Sequence, residues 1–392
     1  MKKKQLIILL VVGLVLAAIY MWQNSSRSSD WQSSPAAAVA GGHLLPADFD
    51  MDKVAVLRFE KDNEVLTMVK GEQGWGLRER FGYPVDFADL KTLFVDLYET
   101  KVAQELVLDQ SQADDLSLSP GKGAVLLTLL DKDERELSKL VFGRKHERES
   151  DMPPTPYGGG GNIPLGRFME LDGGKYILAA NTFSRVDDST TAWLDKEFFK
   201  ISDMKQAVLR EGETVLWEVA RDDKSADLKL AGEVPEDKEI DSGKLSSIKN
   251  AFSWIRFSDI ADPAASPEST GFDQAKVLQV TDFDGFVYNI VIAAPVDGKQ
   301  HLKLSVVWQG ALERTAVPDE KPEDKEKADA EFAAKLRENQ DKARELNARL
   351  SPWIYQVEAR NVENVSIARD AFFKDKPKPE PEKEETEAAT TE

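Results

Sequence analysis

Hydrophobic and polar positions follow three regimes along this chain, beginning with an unbroken apolar run from Leu6 to Trp22 that follows Lys2, Lys3 and Lys4 and carries no charge. A helix of that length, rising roughly 1.5 Å per residue, crosses most of a hydrocarbon core. Tyr20 and Trp22 fall where an interfacial aromatic belt belongs, and the flanking lysines are expected to stay in the cytoplasm, which puts the rest of the chain outside. Ala38-Val39-Ala40 has the small-residue form of a signal-peptidase site, but it lies too far from the apolar run. An uncleaved single-pass anchor over residues 1–22 is therefore expected, followed by a flexible tether over residues 23–46, rich in Ser, Ala and Gly.

The second regime mixes period-two strands with period-3.6 helices and occurs twice. LTLLDKDERELSKLVFG, Leu127 to Gly143, aligns without gaps on LQVTDFDGFVYNIVIAA, Leu278 to Ala294. Both read as β-hairpins around a D-x-D turn, Asp131 and Asp133 in one and Asp282 and Asp284 in the other, with Gly285 completing an Asp-Gly turn. Upstream, Asp86 stands at the start of a helix with Leu90, Leu93 and Leu97 on one face, and Asp241 begins another with Leu245, Ile248 and Phe252 at similar spacing. Ala-Val-Leu-Arg occurs at Ala55–Arg58 and again at Ala207–Arg210; Tyr176 with Val186 matches Tyr355 with Val365, and Phe198-Phe199 matches Phe372-Phe373. The expected fold is α+β, two similar units of antiparallel β-hairpins with packed helices, over residues 47–200 and 201–373.

The third regime is a charged helical stretch inserted into the second unit over residues 319–350. Phe332, Leu336, Asn339, Ala343, Leu346 and Leu350 lie along one side of it, and Pro352 ends it. Such a stripe is either a docking or coiled-coil surface for a partner or the face that packs on its own domain; its length, under three heptads, favours the second. Beyond it, residues 374–392 combine Lys-Pro-Lys-Pro with Glu and Thr and are expected to form a disordered acidic tail.

The strand patterns Val54–Phe59 and Leu66–Lys70, the Trp75-x-Leu77 strand and the Tyr83-Pro84-x-Asp86 turn before a leucine-rich helix resemble the bacterial domain of unknown function 4340. So do the L-x-x-L-x-F-G strand end, Leu137 to Gly143, and the strand at Tyr176. In the second half the Trp-x-Leu pattern is replaced by Asp227-Leu228-Lys229-Leu230. The resemblance implies a membrane-anchored envelope protein found beside ABC-type export permeases and auxiliary envelope proteins. It transfers no catalytic residue.

Composition narrows the chemistry. The formal net charge of −19 disfavours nucleic acid and anionic surfaces as partners. Without cysteine there are no thiolate metal sites, disulfides or lipoprotein acylation. The three histidines, His43, His146 and His301, share no local motif, and neither H-E-x-x-H nor G-x-S-x-G occurs. Gly158–Gly161 lacks the Lys and Ser/Thr of a phosphate loop and reads as a surface loop; Asp48, Asp50 and Asp52 begin like a calcium loop but continue with Lys53 and Phe59 where glycine and glutamate belong. No cofactor, metal or catalytic residue is expected. The function expected is a non-enzymatic accessory subunit that binds an ABC-type permease or its auxiliary envelope proteins, held in the inner membrane with its body in the periplasm. The alternative is a small-molecule or glycan binder or hydrolase using a cleft between the two units.

Overall fold

A computed structural model describes residues 42–148, 163–315 and 320–376. The run Leu6–Trp22, most of the tether, Gly158–Gly161 and most of the tail lie outside the described residues; among those described, no helix is long and apolar enough to cross a membrane.

The architecture is mixed α+β, antiparallel sheets with few helices. Contacts divide it into one unit reaching to Trp75 and resuming over Phe87–Thr190, and another made of Gly76–Asp86 and the chain from Thr191 onward. The sequence expectation put the boundary at residue 200 and left Gly76–Asp86 in the first unit. That segment counts with the second because Tyr83 is buried against Phe257, Trp353 and Tyr355, at ring separations of 5.6, 5.1 and 6.3 Å, while Arg80 Nε donates to Asp259 Oδ1 at 2.5 Å.

The first unit holds β1 (Val56–Lys61), β2 (Glu64–Gly71), α1 (Phe87–Glu99), β5 (Val102–Leu106), α2 (Gln110–Asp115), β6 (Val125–Leu130), β7 (Glu136–Arg148), β8 (Ile163–Leu171) and β9 (Lys175–Ala179). The intervening β3 (Gly74–Leu77) and β4 (Tyr83–Pro84) pair as a hairpin. Strand order across the first unit's sheet is β2-β1-β6-β7-β8-β9-β5. The second unit comprises β10 (Met204–Glu211), β11 (Thr214–Ala220), β12 (Lys229–Leu230), β13 (Lys238–Ile240), α3 (Ser242–Asn250), β14 (Phe257–Ala261), α4 (Pro267–Thr270), β15 (Lys276–Asp282), β16 (Phe286–Ile292) and β17 (Gln300–Trp308). It continues through α5 (Pro322–Leu350), β18 (Ile354–Val357), α6 (Arg360–Glu363) and β19 (Phe373–Asp375). Its order, β12-β11-β10-β15-β16-β17-β18-β14, repeats the first strand for strand, and β12 lies beside β11 as β3 lies beside β2.

Local chemistry repeats as well. Asp131 Oδ1 accepts the N–H groups of Asp133 and Arg135 at 2.8 and 3.0 Å, and Asp282 Oδ1 accepts those of Asp284 and Phe286 at 2.9 Å each, so each carboxylate closes its own hairpin turn. Leu90, Leu93 and Leu97 are buried beneath α1; Leu245 and Ile248 are buried beneath α3, which Asp241 caps by accepting from Gly243 N–H. Phe252, also buried, lies just past the end of α3.

Strand pairing fixes the equivalences that sequence matching only approached. Across the first sheet Val125, Phe142, Met169 and Ile177 are successive partners, as Lys276, Ile292, Leu302 and Tyr355 are across the second. Ile177, not Tyr176, is therefore the counterpart of Tyr355; both are fully buried. Leu57 pairs with Leu129 as Ala207 pairs with Val280, which slides the Ala-Val-Leu-Arg match by two residues. A slip of two keeps the same face inward, so the hydrophobic pattern could not expose it. Asp86 N–H donates to Trp193 O as Asp241 N–H donates to Phe372 O, so Trp193 rather than the Phe198-Phe199 pair answers to Phe372.

Order extends into segments whose composition marks them as tether and tail. Leu44 and Leu45 are buried and His43 bridges to Lys101, while Lys374 and Asp375 complete β19 against β13. In each case apolar neighbours, the leucines themselves or Phe373, carry the adjoining polar residues into register.

Candidate functional site

The long helix α5 lays its stripe on its own sheet. Asn339, Ala343 and Leu350 are buried, Phe332, Leu336 and Leu346 are half-buried, and Asn347 Oδ1 accepts from Val306 N–H of β17 at 3.0 Å. The histidines occupy separate settings: His43 Nδ1 lies 3.2 Å from Tyr98 O, His301 is buried with Nδ1 3.2 Å from Thr270 O, and His146 borders a cavity. Trp193 and Trp217 are core residues, whereas Trp254 is 81% exposed. Asp50 Oδ1 accepts from Asp52 N–H in a local turn. Among the described residues no cluster of three or more His, Asp or Glu side chains is gathered as a metal site.

The chemistry collects elsewhere, in a cavity of about 680 Å³ within the first unit, bordered by Arg144, Lys145, His146, Arg167, Phe168 and Asp187. Two of its strands, β7 and β8, carry most of the charges. They run together past the core, and their register shifts between Phe142 and Lys145 and again between His146 and Glu147. Bulges of this kind turn side chains out of the regular alternation and recur beside functional sites. Here they bring consecutive residues Arg144, Lys145 and His146 to one cavity.

Arg167 projects from β8 into the floor of the site, with its side chain only 3% exposed. Its Nε donates to Gly143 O at 2.8 Å, and its two terminal nitrogens grip Asp187 at 2.9 and 2.6 Å. The same nitrogen that reaches Asp187 Oδ2 also donates to Phe183 O at 3.2 Å. Lys145 Nζ adds a second cation to Asp187 at 3.2 Å. Burial works to raise the Asp187 carboxyl, but hydrogen bonds and charge from Arg167 and Lys145 outweigh it and hold the group below the ordinary carboxylate range. Arg144 stands over Phe168, its guanidinium carbon 5.9 Å from the ring centre, and the His146 ring meets the same phenyl edge-on at 5.6 Å.

The second unit carries a cavity of about 500 Å³ at the equivalent place. Arg144 N–H donates to Leu116 O and Ala294 N–H to Gly271 O, which equates Arg144 with Ala294. Arg167 pairs with Ala179 as Gln300 pairs with Val357, and Gln300 Nε2 donates to Ala293 O as Arg167 Nε does to Gly143 O. Val186 N–H donates to Phe183 O as Val365 N–H does to Val362 O, which sets Asp187 against Ser366. Arg144, Lys145, Arg167 and Asp187 are thus answered by Ala294, Pro295, Gln300 and Ser366, all of which line the second cavity. Ser366 Oγ is buried with no hydrogen-bond partner among the described residues.

Sequence reasoning missed this site. Arg144, Lys145, Arg167 and Asp187 form no motif, and they assemble only through strand pairing. One signal was present: the match between hairpins stops at Gly143 and Ala294, after which the first copy continues with Arg144-Lys145-His146 and the second with Pro295-Val296-Asp297, which has no cation.

Among known families, the one described as a domain of unknown function (DUF4340) matches residues 75–275, half of the chain and all of the first cavity's named lining. Neither a curated protein nor a solved structure matches.

Proposed function

The chain belongs to the DUF4340 family, and from that premise we propose that it is a membrane-anchored, non-enzymatic binding protein of the bacterial envelope, acting as an accessory subunit of an ABC-type transport system. One observation carries the binding part of this reading. The cavity of the first unit is lined by Arg144, Lys145, Arg167 and Asp187 where the same fold, in the second unit, is content with Ala294, Pro295, Gln300 and Ser366. The backbone does not require those charges. Burying the Arg167 guanidinium carries a desolvation cost that a neutral residue avoids, so its presence, with Asp187 held against it, in one copy alone points to a ligand or partner that the first unit recognises.

The anchor rests on Lys2–Lys4 and the apolar run Leu6–Trp22, which together suit a single span with the body outside. The accessory role rests on the setting that the family resemblance implies. Crosslinking in intact cells, followed by affinity purification of the full-length protein and mass spectrometry, tests it. A permease and its ATPase should be recovered in fixed ratio, and recovery of the protein alone would remove the subunit reading.

A further inference from the structure

The geometry points to an oxyanion, of the phosphate kind and carried on a small molecule or a lipid headgroup, as the ligand of the first unit's cavity; this rests on reading that cavity as the binding site. Three cations, Arg144, Lys145 and Arg167, border it, and Asp187 answers two of them. Arg144 is the one left over. Its side chain is exposed and makes no ion pair with the described residues; its contact is the face of Phe168. A guanidinium laid on a ring in this way has its donors turned outward in a planar fork that matches the oxygens of a phosphate.

Charge balance argues in the same direction. In a chain of net charge −19, the cavity's named lining carries Arg144, Lys145 and Arg167 against Glu147 and Asp187, a local excess of positive charge even with His146 neutral. A concave site with low-dielectric walls strengthens such an excess and draws in ligands of opposite sign. The equivalent cavity in the second unit shows what the fold holds there without this chemistry: Ala294 and Pro295 replace Arg144 and Lys145. Phe168 and Leu178 supply an apolar wall, so the space accommodates more than a bare ion. The phosphate would sit at Arg144 and Lys145, with Arg167 held behind them by Gly143 O and Asp187.

The test uses the full-length protein in neutral detergent and in phosphatidylcholine nanodiscs, titrated with glycerol 3-phosphate at constant chloride and followed by calorimetry, with glycerol as the control. A parallel arm compares phosphatidylglycerol with phosphatidylcholine nanodiscs by headgroup phosphorus NMR. Binding of glycerol 3-phosphate but not glycerol, weakened at least tenfold in Arg144→Ala, identifies a small phosphorylated ligand. Selective perturbation of the phosphatidylglycerol headgroup, lost in the same variant, identifies the lipid as the source. Arg144→Gln keeps the side chain's length if Arg144→Ala lowers the melting temperature. The inference is overturned if neither probe exceeds its control, or if both variants bind as the wild type does. Partner recovery without phosphate binding would overturn this inference alone, and phosphate binding without partner recovery would overturn the subunit reading alone.

Discussion

Arg167 is the side chain in the first cavity whose burial costs most, since a guanidinium in the interior must have its charge and its donors answered. Gly143 O, Phe183 O and Asp187 answer them. Replacing Arg167 with Met leaves Asp187 solvent-exposed and still paired with Lys145, so urea unfolding should show a loss of about 2 kcal/mol, that of charge-assisted hydrogen bonds rather than of a fully buried pair. The pair Arg167→Gln with Asp187→Ser copies the second unit's Gln300 and Ser366. It should cost less than the two single changes added together, and strict additivity in the double-mutant cycle would contradict the coupling. The pH dependence follows from the sign of the Asp187 shift. A carboxyl lowered below 3.8 in the folded state stabilises it fully above that value, and the contribution disappears as pH falls through the lowered value. Asp187→Asn should therefore lose stability at neutral pH and show a flatter decline than the wild type between pH 5 and about 2. None of these partners was legible in the sequence. Arg167 and Asp187 are 20 residues apart with no motif joining them, and they meet only after β8 is in register with β9.

At the level of elements, the sequence was far more informative, because periodicity reports which face is buried. Leu90, Leu93 and Leu97 under α1, and the two D-x-D hairpins, stand where the pattern put them. Register was legible only to within two residues, since the period of a strand hides a slip of two. The stripe on α5 marked a buried face, but periodicity does not name what covers it; packing against β17 does. One contact has been rearranged between the copies. In the first unit an added Cβ at Gly143 would strike Leu116 O, and in the second an added Cβ at Gly271 would strike Ala294 O, so the residue lacking a Cβ has changed sides of the same strand-to-helix contact. Gly143→Ala and Gly271→Ala should each destabilise by about 2 kcal/mol, through overpacking in the first and overpacking plus a positive φ of 79° in the second. Thermal midpoints of the two variants check this, and an unchanged midpoint for either would show that the contact yields freely.

For the whole molecule, the repetition of elements was visible in the sequence as paired hairpins and helices, whereas the strand order and the placement of Gly76–Asp86 were not, the latter because it depends on Tyr83 meeting aromatic residues more than a hundred and seventy positions later. On the proposed reading the two copies divide the labour: the first unit recognises, and the second keeps the fold with Ala294, Pro295, Gln300 and Ser366 in place of Arg144, Lys145, Arg167 and Asp187. A photo-crosslinking residue placed in intact cells at Glu147, exposed at the rim of the first cavity, or at Glu363, exposed at the rim of the second, separates the two directly. An adduct with a partner or ligand is expected from position 147 and not from position 363. Adducts from position 363 alone, or from neither position, would contradict the assignment of recognition to the first unit.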